Sequence, residues 1–177
     1  MSTFYMVECA FPYPDERAEF DAFYAGHISM LLTIDGFLSA RRFECLHEAR
    51  APFLAVYALR DDEVLSRPTY TNRAGPTSVA PHIREKMHNW DRNLLHGPLA
   101  PVEVEQCSWM VLIDRLGASA PALPGGAIAL RPVGLDESVI ERGVMVGIDG
   151  TEPAPIVADA NMIVRQFRPL HAARFPD

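Results

Sequence analysis

A chain of 177 residues, 49 % apolar and 22 % charged, has the composition of one folded domain, or of one domain with an extension. That excludes a disordered or collagen-like chain, and the length suffices for a core without disulfide or metal staples. A net charge of −7 argues against a phosphate-backbone partner, so no nucleic acid is expected. Lys86 is the sole lysine among 16 basic residues, so the basic chemistry is that of arginine.

The opening MSTFYMVECA has no basic n-region and carries Glu8 within its apolar stretch, unlike a signal peptide. No run of about 18 apolar residues occurs, so no membrane span is expected. Cys9, Cys45 and Cys107 are odd in number and lack C-x-x-C spacing. Reduced, buried thiols and a cytoplasmic location follow as expectations.

Residues 3–11 are β-prone and end at Pro12 and Pro14. Asp15 then suits a helix cap, and Phe20, Phe23, Tyr24, His27, Ile28, Leu31 and Ile34 recur at helical spacing up to Gly36. Segments 36–46 and 53–60 read as two strands joined by a polar loop. Pro81 is placed to open a second helix, with Ile83, Met87, Trp90 and Leu94 as its stripe and Gly97–Pro98 as its stop. A strand at 106–114 completes a strand–helix–strand–strand–helix–strand order, the split βαβ, ferredoxin-like arrangement. The fold class expected is therefore α+β, with residues 1–115 as its main unit.

Both faces of the strands at 53–59 and 109–113 are apolar, so each face needs cover. A second copy of the chain or its C-terminal third would supply it. Residues 116–126 form an Ala/Pro/Gly-rich connector. Beyond it, 127–177 reads as a β-rich extension with strands at 127–133, 143–149 and 161–167, and a short helical turn at 136–142. SARRFECL and IVRQFRPL are faintly alike, which does not establish a duplication.

Helical periodicity puts His27 in the middle of an apolar stripe facing the sheet. Burial there would depress its pKa into general-base use; the competing reading is a core histidine bonded to a backbone carbonyl. Arg41 and Arg42 fall on opposite faces of one strand, so one points to buried space and could hold an anion. The competing reading pairs it with Glu8 or Glu44. Tyr5, Tyr24, Tyr57, Tyr70 and Trp109 are candidates to line an apolar pocket, and equally candidates for core aromatics. His82, Glu85 and His88 spread over about 120° of the expected second helix and look solvated, so no metal is expected. Nucleotide-loop, G-x-S-x-G and H-E-x-x-H motifs are absent.

Residues 19–46, EFDAFYAGHISMLLTIDGFLSARRFECL, resemble the dimeric α+β-barrel superfamily, in particular its EthD-like members. The likeness rests on an aromatic pair and histidine on the first helix, a D-G-F turn and an A-R-R-aromatic strand. Residues 53–70 continue it, and it spans roughly 3–115. The resemblance implies a ferredoxin-like unit that pairs with a partner's sheet, hence a homodimer. It maps the helix histidine to His27, its aromatic neighbours to Phe23 and Tyr24, and the strand arginines to Arg41 and Arg42. Ala25 and Gly26 stand where an acid often precedes the histidine, and Phe23 where tryptophan is common.

The functional expectation is a small-molecule enzyme without cofactor, of isomerase, cyclase or monooxygenase-like type. His27 and Tyr57 would be catalytic; Tyr24, Arg41, Arg42, Tyr5 and Trp109 would bind substrate. A non-catalytic ligand-binding or dimerising protein is the alternative. Heme binding through His27 is a third option that the superfamily's range allows.

Overall fold

The computed structural model describes residues 1–75, 78–149, 156 and 160–177. Eight strands form one closed ring: β1 (Ser2–Ala10), β2 (Phe37–Cys45), β3 (Phe53–Leu59), β4 (His88–Gly97), β5 (Trp109–Arg115), β6 (Ile128–Leu135), β7 (Glu141–Gly147) and β8 (Met162–Pro169). The order around the ring is β1-β3-β2-β8-β5-β7-β6-β4, and β4 closes it on β1 with every pairing antiparallel. One long helix, α1 (Arg17–Leu32), follows β1; α2 (Pro68–Thr71), α3 (Pro81–Arg84) and α4 (Pro101–Gln106) are short. Among the described residues no helix is long and apolar enough to cross a membrane.

The two-sided apolar strands are explained by alternation across a closed wall. Phe4, Met6, Phe43, Leu54, Val56, Leu95, Met110, Leu112, Leu130, Val144 and Phe167 come from all eight strands and fill the interior. Their neighbours Tyr5, Val7, Ala55, Tyr57 and Leu94 point outward and pack under α1, through its buried Phe20, Tyr24, Ile28 and Leu31. On the other side of the ring Val111, Ile113 and Met162 point outward beneath Leu123 and Ala127. The cover is thus supplied within the chain: β8 pairs with the β2 edge and β6 with the β4 edge, so closing the ring takes no second copy.

The expected second helix is corrected. Only Pro81–Arg84 is helical, and His88–Gly97 is a strand. The 4-3-4 spacing of Ile83, Met87, Trp90 and Leu94 mimics a helix. Asn89, at φ +50°, stands in left-handed backbone just inside the strand that follows. The competing force is the open edge of β1, whose backbone groups need partners. β4 supplies them from Ser2↔Gly97 to Glu8↔Asp91, and Leu94 and Leu95 are buried on opposite faces. The segment expected as the fourth strand is consequently β5; the first half runs β1, α1, β2, β3, two short helices and β4, in the ring order β4-β1-β3-β2, so what fails is the long second helix and the place of the fourth strand. The helical turn expected at 136–142 is also absent, β7 starting at Glu141.

Advancing each strand number by four maps the ring onto itself, β4-β1-β3-β2 onto β8-β5-β7-β6. Only the first half carries a long helix; residues 116–127 between β5 and β6 hold a turn and irregular chain. Gly36, at φ +103°, makes the turn from α1 into β2, and a Cβ there would fall 2.4 Å from Val64.

Candidate active site

α1 lies across the outer wall with Phe20, Tyr24, Ile28 and Leu31 inward, while Phe23 and His27 sit half-buried on one flank. His27 is thus at the edge of the stripe, not its middle. Its ring stacks on Phe23, centroids 5.6 Å apart, and meets Tyr24 edge-on at 6.4 Å. No described residue hydrogen-bonds its ring nitrogens, so the carbonyl-bonded core histidine is not what the structure contains. Burial lowers this imidazole to about 4, which leaves it neutral at neutral pH with a lone pair to offer.

His27 borders a cavity of about 20 Å³ shared with Tyr5, Tyr24, Tyr57, Tyr70 and Trp90. That is room for about one water. Tyr5 and Tyr57 stack at 5.5 Å, a consequence of their pairing across β1 and β3. Burial raises the phenols of Tyr5, Tyr24 and Tyr57, which keeps them protonated and able to donate. Tyr24 touches Cys9 (O···S 3.7 Å), and burial pushes that thiol up to about 11.

The remaining expected residues separate. Arg42 lies behind Tyr24, its guanidinium 4.3 Å from the ring centre and 2.9 Å from Asp21. Arg41 points into the barrel and donates to the carbonyls of Val104 (2.8 Å), Glu105 (2.9 Å) and His171 (3.1 Å), a structural clamp. Trp109 is on the second half of the ring, flat against Gly147, where a Cβ would fall 2.3 Å from its ring. Its cavity is a separate one of about 460 Å³ beside α4. His82 contacts Glu19 at 3.1 Å, and among the described residues no three His, Cys, Asp or Glu side chains gather to hold a metal.

Sequence reasoning missed the charged plug at one end of the barrel. Glu8 and Asp114 point inward from β1 and β5, and Arg142 and Arg165 from β7 and β8; all four are buried. Arg142 binds Asp114 through Nε (2.6 Å) and Nη2 (3.0 Å), and Glu8 at 2.5 Å. Arg165 binds Asp114 at 2.5 Å and pairs with Glu8. Two positive and two negative groups make a neutral set, as burial demands. Above it opens a cavity of about 780 Å³, rimmed by residues 47–51 and 89–91 with Asp136, Ser138 and Val139. Trp90 lines both this cavity and the one beside His27. The available signal was a charge inside an otherwise apolar strand, Glu8 in TFYMVECAF and Asp114 after WMVLI.

No protein-family model matches the chain, and no curated protein matches it in sequence. Its fold is matched by solved structures. A protein described as anthrone oxidase-like superposes with TM-score 0.60 at 11 % identity, covering 99 % of this chain and 93 % of that one. A protein of Lactobacillus acidophilus NCFM, provisionally named a monooxygenase, superposes with TM-score 0.53 at 10 % identity over the whole of both chains. At these identities the likeness is one of fold, and the chain is an α+β protein built on a closed antiparallel barrel.

Proposed function

We propose that the chain is a small-molecule enzyme of the α+β-barrel type, EthD-like in its first half, acting between α1 and the sheet by acid/base chemistry of its own side chains. The carrying observation is His27: half-buried, neutral, without a hydrogen-bond partner, and facing a cavity walled by tyrosines. In this reading the His27 lone pair takes a proton from a phenolic or enolisable carbon acid. The substrate C–H or O–H bond breaks, an imidazolium N–H forms, and the substrate remains as enolate or phenolate. Tyr57, whose hydroxyl has no partner among the described residues, donates to the developing oxyanion, with Tyr24 and Tyr5 beside it. The names of the two structural neighbours, anthrone oxidase-like and monooxygenase, are compatible with such substrates.

The cavity volume favours a second reading, a ligand-binding protein without catalysis, because about 20 Å³ admits no substrate unless Tyr70, Met87 and Trp90 shift. A panel of phenols, enolisable aryl ketones and lactones, assayed for turnover and for binding, separates the two. Turnover lost in His27→Ala with binding retained supports the enzyme. Binding without turnover in the unaltered protein removes it.

A further inference from the structure

On the other flank of α1 lies a cavity of about 200 Å³ lined by Asp21, Ala25, Arg42, Leu170, His171 and Arg174. The C-terminal tail builds one wall and is pinned to β2. Ala40 and Arg174 exchange two backbone hydrogen bonds of 2.9 Å, and Leu170 N–H donates to the Arg42 carbonyl at 2.9 Å. Arg174 also reaches α1, donating to the Ala25 carbonyl at 3.2 Å. These bonds hold two guanidinium groups and an imidazole around one space.

The charge there is unbalanced. Asp21 is the only acid lining the cavity among the described residues, and it is shared between Arg17 (2.8 Å) and Arg42 (2.9 Å). Arg174 has no acidic partner among the described residues, and neither has Arg41, which donates to the backbone of His171. Arg42 is only 4 % exposed, yet its Nη2 has no hydrogen-bond partner. An anion in the cavity would be favoured by the two guanidinium charges that line it, those of Arg42 and Arg174. His171 feels the same field: burial lowers its pKa and Arg174, Arg42 and Arg41 lower it further, against the opposing pull of the Ala172 carbonyl, 2.7 Å from Nδ1.

We propose that this cavity binds a small oxyanion, a phosphate or carboxylate group, between Arg42 and Arg174 with His171 beside it. The site is separate from the His27 cavity, since Tyr24 and Arg42 lie between them, and it stands whether or not His27 is catalytic. Charge-assisted bonds from two guanidinium groups account for selectivity over a spherical ion. The bound anion would also favour protonated His171.

The test is an NMR titration of the full chain at constant ionic strength, following the six histidine imidazoles with His171→Gln to assign the signal. Inorganic phosphate, sulfate and acetate are the probes, and chloride is the control. Saturable shifts of His171 with phosphate or acetate, accompanied by a raised imidazole pKa, support the site; which of the two binds more tightly tells phosphate from carboxylate. Arg42→Lys, which keeps the charge at Asp21, and Arg174→Met should each weaken the Kd about tenfold. Chloride acting equally, or an unchanged Kd in Arg42→Lys with its circular dichroism intact, overturns the proposal.

Discussion

The Arg42 guanidinium lies 4.3 Å from the centre of the Tyr24 ring while its Nη1 meets Asp21 at 2.9 Å. Tyr24 is therefore a partition, with a cation on one side and the His27 cavity on the other. The ring, more than its hydroxyl, does this. Tyr24→Phe should cost about 0.5 kcal/mol, the weight of one weak thiol contact. Tyr24→Leu should cost about 2 kcal/mol or more, through lost aromatic packing and cation–π attraction. Urea denaturation of both variants checks the ranking.

Acidification acts on His27 in a definite direction. Its folded pKa of about 4 lies below the ordinary 6.5, so the unfolded chain binds more protons between those values. The His27 contribution to stability is full above pH 6.5, declines as pH falls toward 4, and is constant below. Denaturation midpoints of the unaltered chain and of His27→Gln should converge over that window. In the enzyme reading kcat/KM should rise with pH through about 4 and then level off, the base limb of a neutral imidazole.

The charged plug of the barrel predicts a non-additive pattern. Asp114→Asn leaves Arg142 and Arg165 sharing Glu8 and should cost about 3–5 kcal/mol. Adding Arg142→Met should cost less than the sum of the single changes, because it removes the cation that the first change stranded. Calorimetry on the two single variants and the double variant completes the cycle. Burial alone would raise Asp114, but Arg142 and Arg165 hold it below the ordinary carboxylate range. Its stabilisation is accordingly present above about pH 4 and lost as pH falls through the lowered value.

The seam between β4 and β6 predicts a steric effect at Gly97. A Cβ there would fall 2.3 Å from the Leu130 side chain and 2.6 Å from the Ala129 carbonyl oxygen. The backbone oxygen cannot turn aside as a flexible side-chain tip would. Gly97→Ala should therefore cost about 2 kcal/mol, and faster amide exchange should appear in β4 and β6 first.

Much of this architecture was legible as pattern. Proline and glycine punctuated β1, α1, β2 and β3, and apolar residues on both faces showed that the sheet was covered twice. β4 was hidden because Ile83, Met87, Trp90 and Leu94 satisfy a helical period, while Asn93, inward-facing and fully buried, breaks the strand alternation. Only the open edge of β1 decides between the two, and that is a property of the assembled ring. For the candidate site, alternation put Arg41 and Arg42 on opposite faces without saying what each would meet. Arg41 is satisfied by carbonyls from residues 63 to 130 positions away along the chain, a separation no local pattern encodes. Tyr5, Tyr24, Tyr57 and His27 gather because β1, β3 and α1 do.

Glu8 and Asp114 stand at matching places on β1 and β5 when strand numbers are advanced by four. The first half faces Glu8 with Leu54 on β3 where the second faces Asp114 with Arg142 on β7. Likewise Asn93 is opposite Met6 where Arg165 is opposite Leu112. Two identical halves would have put a pair of acids against leucine and asparagine, or four arginines in one small interior. The neutral plug therefore needs two unlike halves, which this single chain supplies. The first carries the long helix and His27, and the second carries both arginines that neutralise Glu8 and Asp114 in the interior.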